Sequence, residues 1–395
     1  MMSDVYSQLF SPFQLAGHSI RNRIAMAPLT RQMAEADGTP TDEMTAYYAR
    51  RARGGVGLII TEGTYENERF GAKAYLSQPG ITSASHVKGW KRVVDAVHAQ
   101  GAKIILQLMS GGRVSDPRVL AGQPPVSASD TQSPGWSLYT DSEDEKAIRN
   151  ISGAWPKVTF GKARGLSIDE IHQVAQGFAD SASRAMEAGF DGVEVHGANG
   201  YLISQFIHPK TNLRTDEFGG SPENNIRIAT LIGEKVRVAI GGGKMMTLRL
   251  SQDGVDDFTG AWPGGTRYAA AIGRALRGSA YNALHWASFS YLDNRDPADK
   301  TPMPKVLKEA SGLSMITNGG IAEGAQAEAA LSAGAADMVA IGRPLFAHPD
   351  WAYIVRSGQP YDWCAFDRKY VVQPPIDYAY AYSTGLVDPR WPTTW

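Results

Sequence analysis

Three polar side chains with complementary chemistry lie within six residues of one another, namely His196, Asn199 and Tyr201. An imidazole and an amide can both donate hydrogen bonds to an oxygen that gains negative charge, and a phenol can deliver a proton. The three follow an apolar run at 192–195 with the composition of a strand, and glycines separate them. The segment is therefore a candidate site for polarising and protonating a ligand, and the alternative is a structural turn with a satisfied histidine.

Composition narrows the class of protein. The chain has 395 residues, of which 43% are hydrophobic and 20% charged, and this suits a globular protein with a full core. The formal net charge of -1 predicts neither a nucleic-acid partner nor a membrane partner. No apolar run approaches the roughly 20 residues that span a bilayer, and no signal-peptide pattern occurs, so a cytoplasmic location is expected. Cys364 is the only cysteine, which excludes an intrachain disulfide.

Short apolar strands alternate with helical segments along most of the chain, and this alternation predicts the fold. Eight strands are predicted to begin near Ile24, Gly57, Lys103, Gly192, Met246, Asn282, Met315 and Met338. Short continuous apolar runs are typical of parallel strands that are buried on both faces. Eight strand–helix units predict an α/β fold, a single (β/α)8 TIM barrel over residues 1–395. An open doubly wound sheet is the alternative, but no early GxGxxG motif supports it. A hairpin within 13–20 is expected to plug the bottom of the barrel.

Two segments depart from the alternation. Residues 114–165, between the third and fourth strands, are rich in Pro, Ser, Asp and Trp and lack a sustained period. They are predicted to form a lid, with a solvated surface excursion as the alternative. Residues 353–395 form a C-terminal extension. After the insertion, Ser167 and Glu170 predict a capping box at the start of a helix.

Residues suited to ligand binding recur at the strand ends. Active sites of TIM barrels lie at the carboxyl ends of the strands. Polar residues or glycines occur at or after most of the predicted ends: Thr30, Gly63, Gln107, His196, Arg249, Gly319 and Arg343. The last two strands are followed by Gly319, Gly320, Gly342 and Arg343, where barrel enzymes commonly bind phosphate. These residues predict a planar, phosphorylated ligand at the barrel mouth.

Seven motifs occur in a fixed order. They are MAPLTR at 26–31, TEGT at 61–64, QL at 107–108, HGANGYL at 196–202, RTDEFGGS at 214–221, RLS at 249–251 and GRP at 342–344. Together they resemble the Old Yellow Enzyme family of FMN-dependent ene-reductases, which are NADH:flavin oxidoreductases. The resemblance covers about residues 10 to 352, and HGANGYL followed by RTDEFGGS is its most specific part.

This resemblance implies a cofactor, a reaction and a set of site residues. It implies FMN, NADH or NADPH as the reductant, a small activated alkene as the substrate, no metal, and either a monomer or a homo-oligomer. FMN would be held by Pro28, Leu29, Thr30, Gly63, Gln107, Arg249, Gly319, Gly320, Gly342 and Arg343. His196 and Asn199 would bind the carbonyl or nitro oxygen of the substrate. Hydride would pass from flavin N5 to the β-carbon, and Tyr201 would protonate the α-carbon.

Two other functions stay open at this stage. One is a flavin-dependent dehydrogenase or demethylase of a specific metabolite, and the other is a non-catalytic barrel that binds a phosphorylated ligand. The substrate pocket is expected to differ from that of many relatives. The family often has a Trp-His pair after Gln-Leu, whereas this chain has Met109 and Ser110.

Overall fold

The computed structural model describes residues 5–134, 136–137, 158–257, 259–296 and 299–358. Its strands are β1 (Phe13–Leu15), β2 (His18–Ile20), β3 (Ile24–Met26), β4 (Leu58–Ile60), β5 (Thr64–Tyr65), β6 (Lys103–Met109), β7 (Val126–Ser127), β8 (Trp136–Ser137), β9 (Val158–Thr159), β10 (Arg164–Gly165), β11 (Gly192–Gly197), β12 (Met245–Leu250), β13 (Ala283–Ala287), β14 (Ser314–Asn318) and β15 (Met338–Ile341). Its helices are α1 (Asp42–Arg53), α2 (Ala84–His98), α3 (Ile168–Glu187), α4 (Leu202–Ile207), α5 (Pro222–Ile240), α6 (Thr266–Ala275), α7 (Met303–Ser311), α8 (Gly324–Ser332), α9 (Arg343–Ala347) and α10 (Trp351–Ser357).

Eight parallel strands close into a barrel, so the predicted TIM-barrel fold is confirmed. They pair in the order β3, β4, β6, β11, β12, β13, β14 and β15. The last strand returns to the first, with Val339 opposite Ile24 and Ile341 opposite Met26. Most positions in these strands are buried, as expected for strands enclosed by helices. Each of the eight lies where the apolar runs predicted it.

The predicted hairpin is formed by β1 and β2, which pair in antiparallel fashion. Its inward residues Leu15 and Ile20 pack in one buried cluster with Leu58 and Ile105 of the barrel strands. The hairpin therefore fills the end of the barrel opposite the carboxyl ends of the strands.

Local sequence signals explain where the long helices begin. Before α3, Ser167 Oγ accepts the N–H of Glu170 at 3.2 Å, and Glu170 Oε2 accepts the N–H of Ser167 at 3.0 Å. The predicted capping box is thus confirmed. Ser221 caps α5 in the same position, and Pro222 follows in the first turn.

Among the helices of the described ranges, none is both long and apolar enough to span a bilayer.

The 114–165 insertion leaves the barrel after β6 and returns before α3. At its base, β7 pairs with β10, and β8 pairs with β9 further out. Residues 138–157 lie outside the described residues, and so do residues 359–395, which hold most of the C-terminal extension and Cys364.

Candidate active site

His196 and Tyr201 lie edge to face at the carboxyl end of β11. Their ring centroids are 4.9 Å apart and the ring planes meet at 69°. His196 is the penultimate residue of β11, and Tyr201 immediately precedes α4. The carbonyl of Ser110 accepts the N–H of Leu202 at 3.0 Å and fixes the start of this helix. The strand-to-helix turn therefore brings the two predicted side chains together.

His196 is a neutral hydrogen-bond donor. Burial lowers the pKa of His196 well below its ordinary value, and the nearby Arg249 and His285 act in the same direction. Nδ1 of His196 accepts the N–H of Ala198 at 3.3 Å. Because Nδ1 is an acceptor, the proton of the neutral ring lies on Nε2. The ring can therefore donate to a ligand without carrying a positive charge.

Asn199 is held rigidly beside this pair. Its backbone has a φ of 60°, its N–H donates to Ser251 Oγ at 2.7 Å, and its carbonyl accepts the N–H of Val255 at 2.9 Å. Its side-chain Oδ1 is buried and has no hydrogen-bond partner in the described part of the chain. A buried polar atom without a partner is costly, so this amide is suited to a ligand.

Arg249 supplies a buried positive charge next to the same residues. It lies in β12 directly opposite His196 and His285 on the neighbouring strands. Its Nη2 donates to Asn318 Oδ1 at 3.3 Å, whereas its Nε is buried without a partner in the described ranges. Burial lowers the pKa of Arg249, and Glu194 acts in the opposite direction. A guanidinium with an unused donor is suited to an electron-rich edge of a planar ligand.

Glu194 is a buried carboxylate in the barrel interior that was not predicted from the sequence. Glu194 accepts hydrogen bonds from Gln107 Nε2 at 2.8 Å, Thr247 Oγ1 at 2.9 Å and His285 Nδ1 at 2.8 Å. Burial raises the pKa of Glu194, but His285 and Arg249 outweigh it and hold the value below normal. Burial also lowers the pKa of His285, so a carboxylate faces a neutral imidazole. A charged residue inside the apolar run at 192–195 was the signal that could have revealed it.

Tyr75 was also missed, and no sequence pattern distinguishes it. It lies in the loop between β5 and α2, and its hydroxyl is hydrogen-bonded to the hydroxyl of Tyr201. The rings are edge-on, with centroids 6.4 Å apart and planes at 90°. Both belong to a cluster of apolar contacts that we call the Tyr201 cluster. Its members are Ala74, Tyr75, Met109, Val114, Phe160 and Tyr201, with Val255 packed against them.

The residues predicted to bind phosphate follow β14 and β15. Gly319 has a φ of 131°, and a Cβ there would lie 2.5 Å from the carbonyl oxygen of Ser288. Only glycine fits such a position without strain. A Cβ on Gly342 would lie 3.6 Å from Leu29, so the end of β15 adjoins the loop after β3. Gly320 and Arg343 are exposed beside them.

The remaining predicted cofactor residues lie at the ends of the first strands. Pro28, Leu29 and Thr30 follow β3, and Leu29 and Thr30 are half-buried. Gly63 follows β4, and a Cβ there would lie 2.3 Å from Met109 Sδ. The methionine that departs from the family pattern thus packs directly on this glycine.

The donors at this end of the barrel fit FMN. The unpartnered Nε of Arg249 matches the pyrimidine edge of a flavin, where the reduced ring is negative. Loops with glycines and an arginine after the last two strands match a phosphate. Among the described residues, no group of three or more His, Cys, Asp or Glu could hold a metal.

Comparison with known proteins agrees with this geometry. Residues 8–362 match the model of the NADH:flavin oxidoreductase / NADH oxidase family. The NADH oxidase of Thermoanaerobacter brockii is 32% identical over 362 residues, which make up 90% of this chain and 51% of that enzyme. The chain therefore spans about half the length of this relative.

Two solved structures match the chain over almost their whole length. The Old Yellow Enzyme homologue from Zymomonas mobilis has a TM-score of 0.76 at 31% identity and covers 93% of this chain, which in turn covers 99% of it. Morphinone reductase in complex with tetrahydroNAD has a TM-score of 0.77 at 32% identity, with coverage of 94% and 98%. The chain thus belongs to the NADH:flavin oxidoreductase / NADH oxidase family and is an FMN-dependent homologue of Old Yellow Enzyme.

Proposed function

We propose that this protein reduces the C=C bond of α,β-unsaturated carbonyl compounds or similar activated alkenes, with NADH or NADPH as the electron source. The observation that carries the proposal is the neutral His196 ring, which lies 4.9 Å from the ring of Tyr201. One side chain can bind an oxygen and the other can protonate a carbon. Reduction of a polarised alkene needs both functions within one small site.

The proposal assigns the cofactor to the residues at the barrel mouth. FMN would be held by Pro28, Leu29, Thr30, Gly63, Gln107, Arg249, Gly319, Gly320, Gly342 and Arg343. When bound and reduced, the flavin supplies the hydride for the β-carbon of the substrate. Arg249 would face the pyrimidine edge with its free Nε, and the glycine loops after β14 and β15 would surround the phosphate.

His196 and Asn199 would bind and polarise the substrate. The Nε2–H of His196 and an Nδ2–H of Asn199 donate to the carbonyl oxygen, where negative charge grows during the reaction. Because His196 is neutral, it stabilises this charge without giving up its proton. Tyr201 then transfers its hydroxyl proton to the α-carbon, which completes the addition of two hydrogen atoms.

The 114–165 insertion would act as a lid over this site. Val114 and Phe160, from its two ends, pack in the Tyr201 cluster. Ser133, also in the insertion, donates to Asp256 Oδ2 at 2.9 Å, in the loop after β12. Apolar cover of this kind excludes water from the acid and strengthens the hydrogen bonds inside.

Anaerobic absorbance spectroscopy of the FMN-loaded protein tests the proposal. NADH or NADPH should bleach the flavin band, and 2-cyclohexenone should restore it with formation of cyclohexanone, which mass spectrometry detects. Cyclohexanone itself has no activated alkene and should restore nothing. A flavin that is reoxidised by a quinone but stays reduced with a panel of enones and nitroalkenes would contradict alkene reduction.

A further inference from the structure

We propose that Tyr75 is a positioning residue for Tyr201, the proposed acid. The hydroxyl of Tyr75 donates a hydrogen bond to the oxygen of Tyr201 and stabilises the Tyr201 phenolate. The inference rests on the proposed alkene reduction. It adds a residue far from the HGANGYL motif to the group that carries out the proton transfer. It assigns a chemical role to a hydroxyl contact between two distant segments of the chain.

The direction of this contact decides which proton can move. Each phenol carries one proton, so only one of the two hydroxyls can donate to the other. With Tyr75 as the donor, Tyr201 accepts with its oxygen and keeps its own proton for the substrate. The rings are perpendicular with centroids 6.4 Å apart, so the two side chains meet at their hydroxyls and do not stack.

The apolar surroundings of Tyr201 mean that its phenolate needs a hydrogen-bond donor. Tyr75 and Tyr201 are 2% and 4% exposed, and the Tyr201 cluster covers them with apolar side chains. A phenolate in apolar surroundings is costly unless hydrogen-bond donors face it. Arg249 interacts electrostatically with Tyr201 and supplies charge, and Tyr75 supplies a direct donor.

The loop that carries Tyr75 is anchored to the barrel. The N–H of Ala74 donates to Gln78 Oε1 at 2.7 Å, and Gln78 Nε2 donates to the carbonyl of Gly63 at 2.8 Å. The carbonyl of Ala74 accepts the N–H of Asp116 at 3.0 Å. Tyr75 is therefore pre-positioned by the segment after β4 and by the start of the 114–165 insertion before any ligand binds.

The proton transfer balances without a further reactant. The O–H bond of Tyr201 breaks as the C–H bond at the α-carbon forms, and the electron pair of the O–H bond stays on the Tyr201 oxygen. The O–H bond of Tyr75 stays intact throughout. Tyr201 regains a proton from water after the product leaves.

Tyr75→Phe tests the role because it removes the hydroxyl and keeps the buried ring. Reoxidation of the reduced enzyme by 2-cyclohexenone should slow on the order of tenfold, since a hydrogen bond to a charged group is lost. Reduction by NADH or NADPH should be unchanged, and so should reoxidation by ferricyanide, which takes electrons without protonating a carbon. Tyr281→Phe is the matched control, because Tyr281 donates to the carbonyl of Ala229 at 2.6 Å near the opposite end of the barrel.

Two further measurements separate this role from a structural one. In a Tyr201→Phe background, Tyr75→Phe should slow enone reoxidation no further, since the two hydroxyls act as one unit. In 13C NMR of Cζ-labelled tyrosine in the FMN-loaded protein, the Tyr201 resonance, identified by its loss in Tyr201→Phe, should shift in Tyr75→Phe and not in Tyr281→Phe.

The outcomes distinguish the inference from the function on which it rests. If the wild-type protein reduces enones and Tyr75→Phe reduces them equally fast, or if all half-reactions slow together, the role of Tyr75 is wrong and the proposed function stands. If the wild-type protein reoxidises with ferricyanide but with no activated alkene, the proposed function is wrong and this role falls with it.

Discussion

Glu194 and Gln107 are directly opposite each other on neighbouring strands, and the amide of Gln107 donates to the carboxylate of Glu194 at 2.8 Å. This bond fixes the orientation of the Gln107 side-chain amide. The nitrogen of Gln107 is turned toward Glu194, which leaves its oxygen turned away from the carboxylate and able to accept from a ligand. We therefore expect Gln107 to act toward FMN as an acceptor.

Glu194→Gln should destabilise the fold. An amide has one acceptor oxygen, whereas Gln107, Thr247 and His285 all donate to the carboxylate. At least one buried donor loses its partner, and the free energy of unfolding in urea should fall by about 2 kcal/mol. FMN affinity, measured by fluorescence titration, should fall as well. The exposed Glu309→Gln should change neither value, and equal unfolding curves for the two variants would show that the network adds no stability.

Glu62 should make stability depend on pH. Its carboxylate accepts the N–H groups of Arg31 at 2.8 Å and Gln32 at 3.2 Å, directly after Thr30. Burial raises the pKa of Glu62 from 4.5 to about 7. The folded protein therefore binds more protons than the unfolded chain between these values, so the contribution of Glu62 to stability falls as pH rises from about 4.5 to about 7.

Urea unfolding of the wild type and Glu62→Gln at pH 5 and pH 8 measures this contribution. The wild type should lose up to about 3 kcal/mol relative to the variant between the two pH values, since one pKa unit corresponds to about 1.4 kcal/mol. A difference between the two proteins that stays constant with pH would mean that Glu62 is ionised normally.

Asp256→Ala should loosen the proposed lid. Asp256 Oδ2 accepts Arg113 Nη2 at 2.6 Å, and these side chains are only 2% and 9% exposed. Removing the carboxylate leaves a nearly buried guanidinium without its charge partner, which should cost about 3 kcal/mol in unfolding free energy. Asp95→Ala breaks the exposed pair with Lys91 and should cost about 0.5 kcal/mol or less. Hydrogen exchange at 114–134, in the described part of the lid, should accelerate in the first variant only.

Gly319→Ala should weaken FMN binding. The backbone φ of 131° and the carbonyl of Ser288 at 2.5 Å leave no room for a Cβ, so the loop after β14 must move. We expect FMN affinity to fall at least about tenfold, because a displaced loop costs on the order of 1.4 kcal/mol or more. Gly242→Ala is the control, since a Cβ there meets nothing within 4 Å. Unchanged FMN affinity in Gly319→Ala would remove this loop from the cofactor site.

Local sequence predicted the barrel and the His196 turn, because each depends on residues close in the chain. Alternating apolar runs placed the eight strands, and a strand end followed by a helix placed His196 beside Tyr201. The partners of Glu194 could not be predicted in this way. They come from three other strands, and only the register that sets Gln107 and Thr247 level with Glu194 brings them together.

The contact between Tyr75 and Tyr201 could not be predicted from local sequence either. The hydroxyl of Tyr75 meets Tyr201 across a separation of 126 residues, and a loop without regular structure carries it. No periodicity or motif specifies such a contact, which follows from how the 66–80 loop packs on the ends of β4 and β6. Sequence therefore singled out Tyr201 as the proposed acid and left its hydrogen-bond partner to the tertiary structure.

The pairing of β3 with β15 sets a condition on synthesis of the protein. Ile24 leaves the ribosome early, but Val339, its partner on one side, is made near the end of the barrel. At about 5–20 residues per second, β3 waits for roughly tens of seconds with one edge unpaired. An exposed edge of this kind invites pairing with other chains. The nascent barrel should therefore depend on chaperones until β15 emerges, although the finished barrel has no open edge.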